Sequence, residues 1–441
     1  MPLFTFSPRN ALLGALLLVL GAGFFFMLTP RVIRLEPGAN APGTSVAPAA
    51  LPPLVIPEAA APTSSPPVVQ NGKGDIAKQS PLADPPQVVK GIYLTGWSAG
   101  SSRKVRTLLD LAKRTELNAM VIDIKDYSGY VSYAMDVPDV GTNGAERELR
   151  IARPNALIKE LHDNGIYAIA RISVFQDPVL ARARPEWALT TASGTLWADR
   201  KGLNWVDPAS EGVWDYHAAI ARDAFARGFD EVNFDYVRFP SDGDLSDIRY
   251  PFWDGHTPRH AVLKKFFSYL RSELKGAVIS VDLFGLATVN SDDLGIGQII
   301  EDAYENFDYV SPMVYPSHYA AGFLGYKNPA LYPYEVIRYS LAAGLKRLVA
   351  FMNVPVATST ATSGVPVDAP ALSVPHARLR PWLQSFDIGA VYTADMIRKE
   401  IQATEDVLMR ATSTPAGDMW SGWLLWDPNN VYVERALLPE V

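Results

Sequence analysis

Two carboxylates stand at the ends of short apolar segments, where acid–base chemistry could use them. Asp235 lies in V-N-F-D-Y-V-R-F and Asp282 lies in S-V-D-L-F-G. Two carboxylates with different pKa values can divide the work of glycosidic cleavage, because one protonates the leaving oxygen while the other attacks or activates water. We expect these two residues to be the catalytic pair.

The neighbours of the two acids suggest how the roles divide. Asp235 lies three residues before Arg238, whose guanidinium would keep a carboxylate ionised. Asp282 is followed by Leu283 and Phe284, and an apolar setting raises the pKa of a carboxyl group. We therefore expect Asp235 to be the nucleophile or base and Asp282 the general acid, with the reverse order as the alternative.

Further polar and aromatic residues fall at the same ends of the predicted strands. Residues two apart on a strand share a face, so Asp123 should lie beside Lys125. Burying this many polar side chains is costly unless they line a site. Flat aromatic rings at these positions could pack against sugar rings. The predicted substrate-binding residues are Trp97, Asp123, Lys125, Arg171, Tyr236, Arg238, Tyr315, His318, Trp382, Gln384 and Trp426.

The elements that must position these residues alternate between strand and helix from about Val88 onward. Apolar runs at 91–95, 119–125, 167–175, 231–239, 277–283, 308–315, 379–386 and 423–426 are typical of strands. Strands that alternate with helices form a parallel sheet, and eight of them predict a (β/α)8 TIM barrel with its active site at the carboxyl ends of the strands. A doubly wound open sheet is the alternative, although G-x-G-x-x-G is absent from the sequence.

Composition excludes several classes of protein. The chain has 441 residues, a formal charge of −7 and no cysteine, so disulfide scaffolds, cysteine-ligated metals and thiol nucleophiles are ruled out. The acidic balance argues against a nucleic-acid partner. We expect no cofactor and no metal site.

The N-terminal region differs from the rest of the chain. Residues 11–29 carry no charge and lack a clear cleavage site, so residues 1–30 are predicted to form an uncleaved signal anchor, a transmembrane helix, with a cleaved signal peptide as the alternative. Residues 36–86 hold 12 of the 35 prolines, which predicts a Pro/Ala-rich disordered linker over 31–86. The barrel would then span 87–441 and lie outside the cytoplasm, at the cell surface or in the periplasm.

Several longer motifs resemble one known family. They are V-K-G-I-Y-L-T-G-W at 89–97, V-I-D-I-K-D at 121–126, F-D-Y-V-R-F-P at 234–240, S-P-M-V-Y-P-S-H-Y at 311–319 and G-W-L-L-W-D-P at 422–428. With them the chain resembles the glycosidase-like family formerly catalogued as domain of unknown function 4015. The resemblance covers nearly everything from Lys90 to Tyr432 and implies a (β/α)8 barrel with glycoside hydrolase activity.

These observations leave two functions open. The first is a membrane-tethered glycoside hydrolase that cleaves a cell-wall or extracellular polysaccharide with two carboxylates. The second is a non-catalytic carbohydrate-binding barrel tethered to the cell envelope. In both, the expected partners are a polysaccharide or oligosaccharide and, through the N-terminal helix, a membrane.

Overall fold

A closed parallel barrel forms the body of the protein. The computed structural model describes residues 74–352, 377–409 and 419–439. Within them the sheet order is β5-β4-β3-β2-β1-β9-β8-β6-β7, and an additional pairing of β5 with β6 closes the ring. The strands are β1 (Val89–Leu94), β2 (Ala119–Lys125), β3 (Tyr167–Ser173), β4 (Glu231–Asp235), β5 (Ile279–Phe284), β6 (Tyr309–Met313), β7 (Arg378–Leu379), β8 (Trp382–Gln384) and β9 (Gly422–Trp426).

The short strands β7 and β8 together fill one barrel position, because both pair with β6. The barrel thus has eight positions, and every pairing between its strands is parallel. The predicted TIM barrel is confirmed, and the doubly wound open sheet is wrong.

Helices surround the barrel. They are α1 (Gly96–Gly100), α2 (Ser102–Ala112), α3 (Pro138–Thr142), α4 (Pro154–Asp163), α5 (Pro178–Ala183), α6 (Glu211–Arg227), α7 (Arg259–Glu273), α8 (Ile300–Tyr304), α9 (Pro333–Met352) and α10 (Ala394–Leu408). In α2, buried residues recur three or four positions apart at Val105, Leu108, Leu109 and Ala112. This spacing gives the helix one apolar stripe, which packs on the barrel.

Side chains alternate between the two faces of the strands. One set, which includes Tyr93, Val121, Ile169, Trp382 and Leu424, forms a cluster inside the barrel. The neighbouring residues belong to the larger cluster that joins the strands to the helices; they include Ile92, Ile122, Ala170, Phe234 and Leu283. The interior of the barrel is therefore packed, and polar side chains can occupy it only where they satisfy one another.

Gly422 allows β9 to close against β1. Its φ is +92°, and a Cβ atom there would lie 1.8 Å from the carbonyl oxygen of Val89. Gly422 and Val89 are also paired in the β1–β9 register. Any larger residue would force the two strands apart, because the backbone approach leaves no room for a side chain.

The segment before β1 packs on the barrel earlier than the sequence predicts. Asp75 accepts hydrogen bonds from the backbone N–H groups of Asn155 (3.0 Å) and Ala156 (3.1 Å) at the start of α4. The backbone N–H of Leu82 donates to Asp230 over 2.6 Å. The predicted domain boundary at residue 87 therefore falls inside the packed region, because these contacts fix part of the proline-rich segment.

The predicted signal anchor at 1–30 and the linker up to residue 73 lie outside the described residues. In the part of the chain that the structure describes, no helix combines the length and the apolar character that crossing a bilayer requires.

Candidate active site

The guanidinium of Arg171 lies at the centre of a buried cluster of charges at the carboxyl end of the barrel. Its Nη1 donates to Oδ1 of Asp123 over 2.5 Å and its Nη2 donates to Oδ2 of Asp235. Its Nε lies 3.7 Å from Oδ2 of Asp282. Each of the four residues is at most 4% exposed. Three ionised carboxylates around one guanidinium would leave a buried net negative charge, which is costly, so protonation of one acid relieves the cluster.

Strand register brings these residues together. Arg171 on β3 is paired with Asp123 on β2 and with Asn233 on β4. Asn233 is in turn paired with Ser280 on β5. Asp235 and Asp282 each lie two residues beyond that pair, so they share its face as the next pair toward the carboxyl end of the strands.

The two oxygens of Asp282 have different surroundings. Oδ1 accepts hydrogen bonds from Nδ2 of Asn233 (2.9 Å) and from Nε1 of Trp382 (2.8 Å). Oδ2 is buried and has no hydrogen-bond partner among the described residues. Burial and the charge of Asp235 raise the pKa of Asp282 to about 8, against the opposing effects of Arg171, Asn233 and Trp382. A proton on Asp282 belongs on Oδ2, because Oδ1 already accepts two N–H groups.

Asp235 lies at the point where β4 ends. The next residue, Tyr236, has φ 54°, a left-handed conformation that is uncommon outside glycine and turns the chain out of the strand. This turn directs the backbone N–H of Tyr236 to Oδ1 of Asp235 over 2.6 Å. Both carboxylate oxygens therefore accept N–H donors, from Tyr236 and from Arg171.

The expected pairing of Asp235 with Arg238 is wrong. The guanidinium of Arg238 donates to the carbonyl oxygen of Phe239 (3.2 Å) and to Oγ of Ser241 (3.1 Å) instead. Arg171, which is far away in sequence, takes the place beside Asp235 because β3 and β4 are neighbours in the barrel.

Tyr93 belongs to the cluster although the sequence analysis did not select it. Its hydroxyl donates to Oδ2 of Asp123 over 2.5 Å, and its ring stacks on Trp426 at 3.7 Å between ring centroids. Trp426 also lies 4.8 Å from the Arg171 guanidinium. Burial raises the pKa of Asp123, against the opposing charge of Arg171. Tyr93 lies near the end of β1, and the alternation of side chains along the strand points it into the barrel. This position was the signal that could have identified it.

Lys125 does not share the face of Asp123, so that prediction is wrong. A register shift between these two residues in the β2–β3 pairing turns Lys125 away. Its Nζ donates to the carbonyl oxygen of Ser173 over 2.6 Å and lies 2.8 Å from Oδ2 of Asp177. Both side chains of this ion pair are fully buried. Lys125 therefore supports the loop after β3 and presents no charge to a substrate.

Trp382 and Gln384 are placed differently from the sequence prediction. Trp382 is fully buried, so its ring offers no open face on which a sugar could pack. It acts on Asp282 through its indole N–H instead. The Gln384 amide donates to the carbonyl oxygens of Phe386 (2.9 Å) and Ile388 (3.2 Å) and accepts from the backbone N–H of Ser317 (3.2 Å). Gln384 thus ties two loops together at the rim of the barrel.

The remaining predicted binding residues lie at the rim or near it. Tyr315 is buried, with its ring 5.3 Å from the ring of His318 and 5.4 Å from that of Phe386. Half-buried Trp97 lies under the guanidinium of Arg150, at 5.2 Å. Buried Tyr315, like Trp382, has no open ring face, whereas half-buried His318 and Trp97 are candidates for contacts with a substrate.

A second polar layer lies below the acids. Arg380 forms a fully buried ion pair with Glu231. Oγ of Ser280 donates to Oε1 of Glu231 over 2.5 Å and accepts from Nδ2 of Asn233 over 3.0 Å. Because the Asn233 amide also donates to Asp282, this layer fixes the orientation of the amide that holds the acid. Across the described ranges, no group of three or more His, Cys, Asp or Glu side chains is arranged to hold a metal ion.

A closed (β/α)8 barrel with a carboxylate cluster at the carboxyl ends of its strands places the protein among the TIM-barrel proteins, whose active sites lie at that end. Residues 91–432 match the family described as "Putative glycosyl hydrolase domain", domain of unknown function 4015. The chain belongs to this family, as its motifs predict.

Solved structures with similar folds include several glycoside hydrolases. The PgaB (BpsB) glycoside hydrolase domain from Bordetella bronchiseptica is 13% identical, over 78% of this chain and 95% of that one, with a TM-score of 0.51. That likeness shows the shared fold. A hypothetical protein from Ruminiclostridium thermocellum ATCC 27405 is 37% identical over 46% of this chain and 98% of that one, with a TM-score of 0.40. The α-galactosidase TtGalA from Thermus thermophilus is 14% identical over 81% and 61%, with a TM-score of 0.46. No curated protein matches the chain.

Proposed function

We propose that the protein is a glycoside hydrolase that cleaves a cell-wall or extracellular polysaccharide, with Asp235 and Asp282 as its catalytic pair. The observation that carries the proposal is the difference between the two acids. Asp282 has a pKa raised to about 8 and a buried Oδ2 without a partner, whereas both oxygens of Asp235 accept N–H donors. One acid is ready to give a proton and the other to act as a base or nucleophile.

The placement of the acids on neighbouring strands supports a nucleophilic role for Asp235. Asp235 and Asp282 follow directly after the paired residues Phe234 and Val281, on strands whose backbones lie about 4.8 Å apart. Retaining glycosidases have carboxyl groups about 5–5.5 Å apart, whereas inverting enzymes need about 6.5–9.5 Å to admit a water molecule. In this mechanism Asp235 attacks the anomeric carbon while Oδ2 of Asp282 protonates the leaving oxygen. Asp282 then accepts a proton from the water that hydrolyses the glycosyl–enzyme bond.

Arg171 and Asp123 support this chemistry. As negative charge leaves Asp235 on attack, the pairing of Arg171 with Asp123 keeps the guanidinium in place. Tyr93 fixes the opposite oxygen of Asp123, so the whole cluster is oriented before substrate binds. Such preorganisation lowers the cost of rearranging charges in the transition state.

A non-catalytic carbohydrate-binding barrel is the second candidate. The ion pair between Arg171 and Asp235 favours it, because a carboxylate held permanently by a guanidinium would be a weak nucleophile. The site would then bind a sugar without cleaving it.

One screen separates the two candidates. The purified full-length protein is incubated with a panel of neutral and charged polysaccharides, and new reducing ends are measured. We expect release from at least one polymer and loss of that release in Asp235→Asn. Saturable binding without new reducing ends from any polymer that binds would support the second candidate and contradict the first.

A further inference from the structure

Arg238 is held between aromatic rings at the mouth of the site. Its guanidinium carbon lies 4.8 Å from the ring centroid of Trp205, 5.1 Å from that of Phe284 and 5.4 Å from that of Tyr236. The residue is only 5% exposed. Phe284 lies two residues beyond Asp282 and belongs to the cluster inside the barrel, so Arg238 lies close to the catalytic pair.

Arg238 differs from the other buried arginines in the described ranges, because no carboxylate lies within salt-bridge distance of it. The other buried arginines each have such a partner: Arg150 with Asp126, Arg171 with Asp123, Arg227 with Asp223 and Arg380 with Glu231. A buried guanidinium is expensive unless an anion compensates it. The missing partner is therefore an unusual feature of this one position.

The donors of Arg238 are only partly used. Nη1 donates to Phe239 and Ser241, while Nε and Nη2 have no acceptor among the described residues. A guanidinium carries five N–H groups in a planar fork that matches a carboxylate. One edge of this fork thus has no acceptor among the described residues.

Three carboxylates act on Arg238 through their charge, namely Asp235, Asp242 and Asp199. Each of them accepts its hydrogen bonds from other residues. Asp235 accepts from Arg171 and Tyr236. Asp242 accepts from the backbone N–H of Arg200, and Asp199 accepts from Gln176 and Trp205. They stabilise a positive charge on Arg238 from a distance but leave its free edge unpaired.

We propose that Arg238 binds the carboxylate of a uronic acid in the substrate, so that the protein acts on an acidic polysaccharide. This inference rests on the proposed function, whose substrate it narrows. The sugar carboxylate would accept two N–H groups from the free edge of Arg238, while Trp205, Tyr236 and Phe284 exclude water from the pair. Charge-assisted hydrogen bonds of this kind are the strong ones, and a water-poor setting strengthens them further.

Binding, measured apart from cleavage, tests the proposal. The full-length Asp235→Asn protein is titrated calorimetrically with polygalacturonate, alginate and hyaluronate, and with the same polymers after chemical reduction of their carboxyl groups to alcohols. We expect at least one acidic polymer to bind at least about tenfold more tightly than its reduced form, the difference that one charge-assisted contact provides. Equal binding of every acidic and reduced pair would overturn the proposal. The experiment measures binding and no turnover. It therefore tests the role of Arg238 even if the protein proves not to be a hydrolase.

Substitutions then assign the preference to Arg238. Arg238→Gln should remove the preference for the acidic polymer, because it should lower the affinity for the acidic polymer by much more than the affinity for the reduced polymer. Arg238→Lys keeps the charge but lacks the planar fork, so it should retain part of the preference. It replaces Arg238→Gln as the test variant if the glutamine variant does not fold. Arg259→Gln is the matched control, because Arg259 also lies over aromatic rings, at 4.9 Å from Trp253 and 5.5 Å from Phe239. It should keep the full preference.

Two results would contradict the assignment. The first is an equal loss of affinity for acidic and reduced polymers in Arg238→Gln, which would mean that Arg238 only supports the fold or binds hydroxyl groups. The second is tighter binding of dextran sulfate than of every uronic acid polymer, which would mean that the guanidinium prefers a sulfate to a carboxylate.

Discussion

The indole N–H of Trp382 donates to Oδ1 of Asp282 over 2.8 Å. A carboxyl oxygen that accepts two N–H donors is the weaker site for a proton, so this contact and the parallel one from Asn233 favour Oδ2 as the site of protonation. The tryptophan thus determines which oxygen of the acid carries its proton. It does so from a fully buried position, without touching a substrate.

Trp382→Phe should move the basic limb of the pH–activity profile to higher pH. The hydrogen bond from Trp382 lowers the pKa of Asp282, so its removal raises that pKa further. The variant is compared with the wild type on the best polymer from the screen, from pH 5 to pH 10. Trp426→Phe is the control, because Nε1 of Trp426 has no hydrogen-bond partner among the described residues. A limb that stays in place in Trp382→Phe, or that moves equally in the control, would contradict the assigned role.

Asp282 should also make stability depend on pH. Its pKa is raised from 3.8 to about 8, so the folded state holds the proton more tightly than the unfolded state. The stability that this provides is fully present below about pH 4 and is lost as pH rises to about 8, at up to about 1.4 kcal/mol per pH unit. In urea unfolding across this range, the free energy of unfolding of Asp282→Asn should fall less steeply than that of the wild type. Parallel curves for the two proteins would show that the pKa of Asp282 is not raised.

Asp75→Ala should destabilise the barrel by about 1 kcal/mol, the usual cost of losing a helix cap. Asp75 accepts the N–H groups of Asn155 and Ala156 at the start of α4, where no side chain of the helix itself provides a cap. Thermal unfolding measures the effect. Asp84→Ala is the control, because exposed Asp84 lies in the same segment. Equal melting temperatures for Asp75→Ala and the control would show that the segment does not stabilise the fold.

We propose that the uncharged segment at 11–29 anchors the protein in a membrane. Full-length protein should then remain in the membrane fraction after a high-salt wash, because salt screens charged contacts but does not weaken apolar insertion. A variant with arginine at positions 16, 19 and 22 should leave that fraction. Recovery of a soluble protein whose N-terminus lies near residue 30 would instead demonstrate a cleaved signal peptide.

The sequence predicted the strands well where local patterns determine them. β2 has the predicted bounds, Ala119–Lys125, because an apolar run opens the strand and the alternation of Asp123, Ile124 and Lys125 continues it. β4 was predicted to reach Phe239 but ends at Asp235, because the left-handed turn at Tyr236 interrupts it. A tyrosine at position 236 does not predict such a turn, because residues other than glycine seldom adopt a left-handed conformation.

The composition of the site was predicted in part. Regular alternation placed Asp123, Arg171, Asp235 and Asp282 on one face, and the structure brings them together. Alternation failed at Lys125, because a register shift depends on the neighbouring strand. Sequence proximity suggested Arg238 as the partner of Asp235, whereas the pairing of β3 with β4 provides Arg171. Contacts between strands are set by the fold and have no local signal.

The division of labour between the two acids is tested most directly with two kinds of substrate. One is the polymer cleaved in the screen, and the other is an aryl glycoside of the same sugar with a nitrophenol leaving group, which departs without protonation. Asp235→Asn should lose activity on both. Asp282→Asn should lose about 10²–10⁴-fold on the polymer, the usual contribution of acid catalysis, while keeping the first step on the aryl glycoside, seen as a burst of released nitrophenol. Equal losses on both substrates in Asp282→Asn, with no burst, or wild-type rates in both variants, would contradict the assignment.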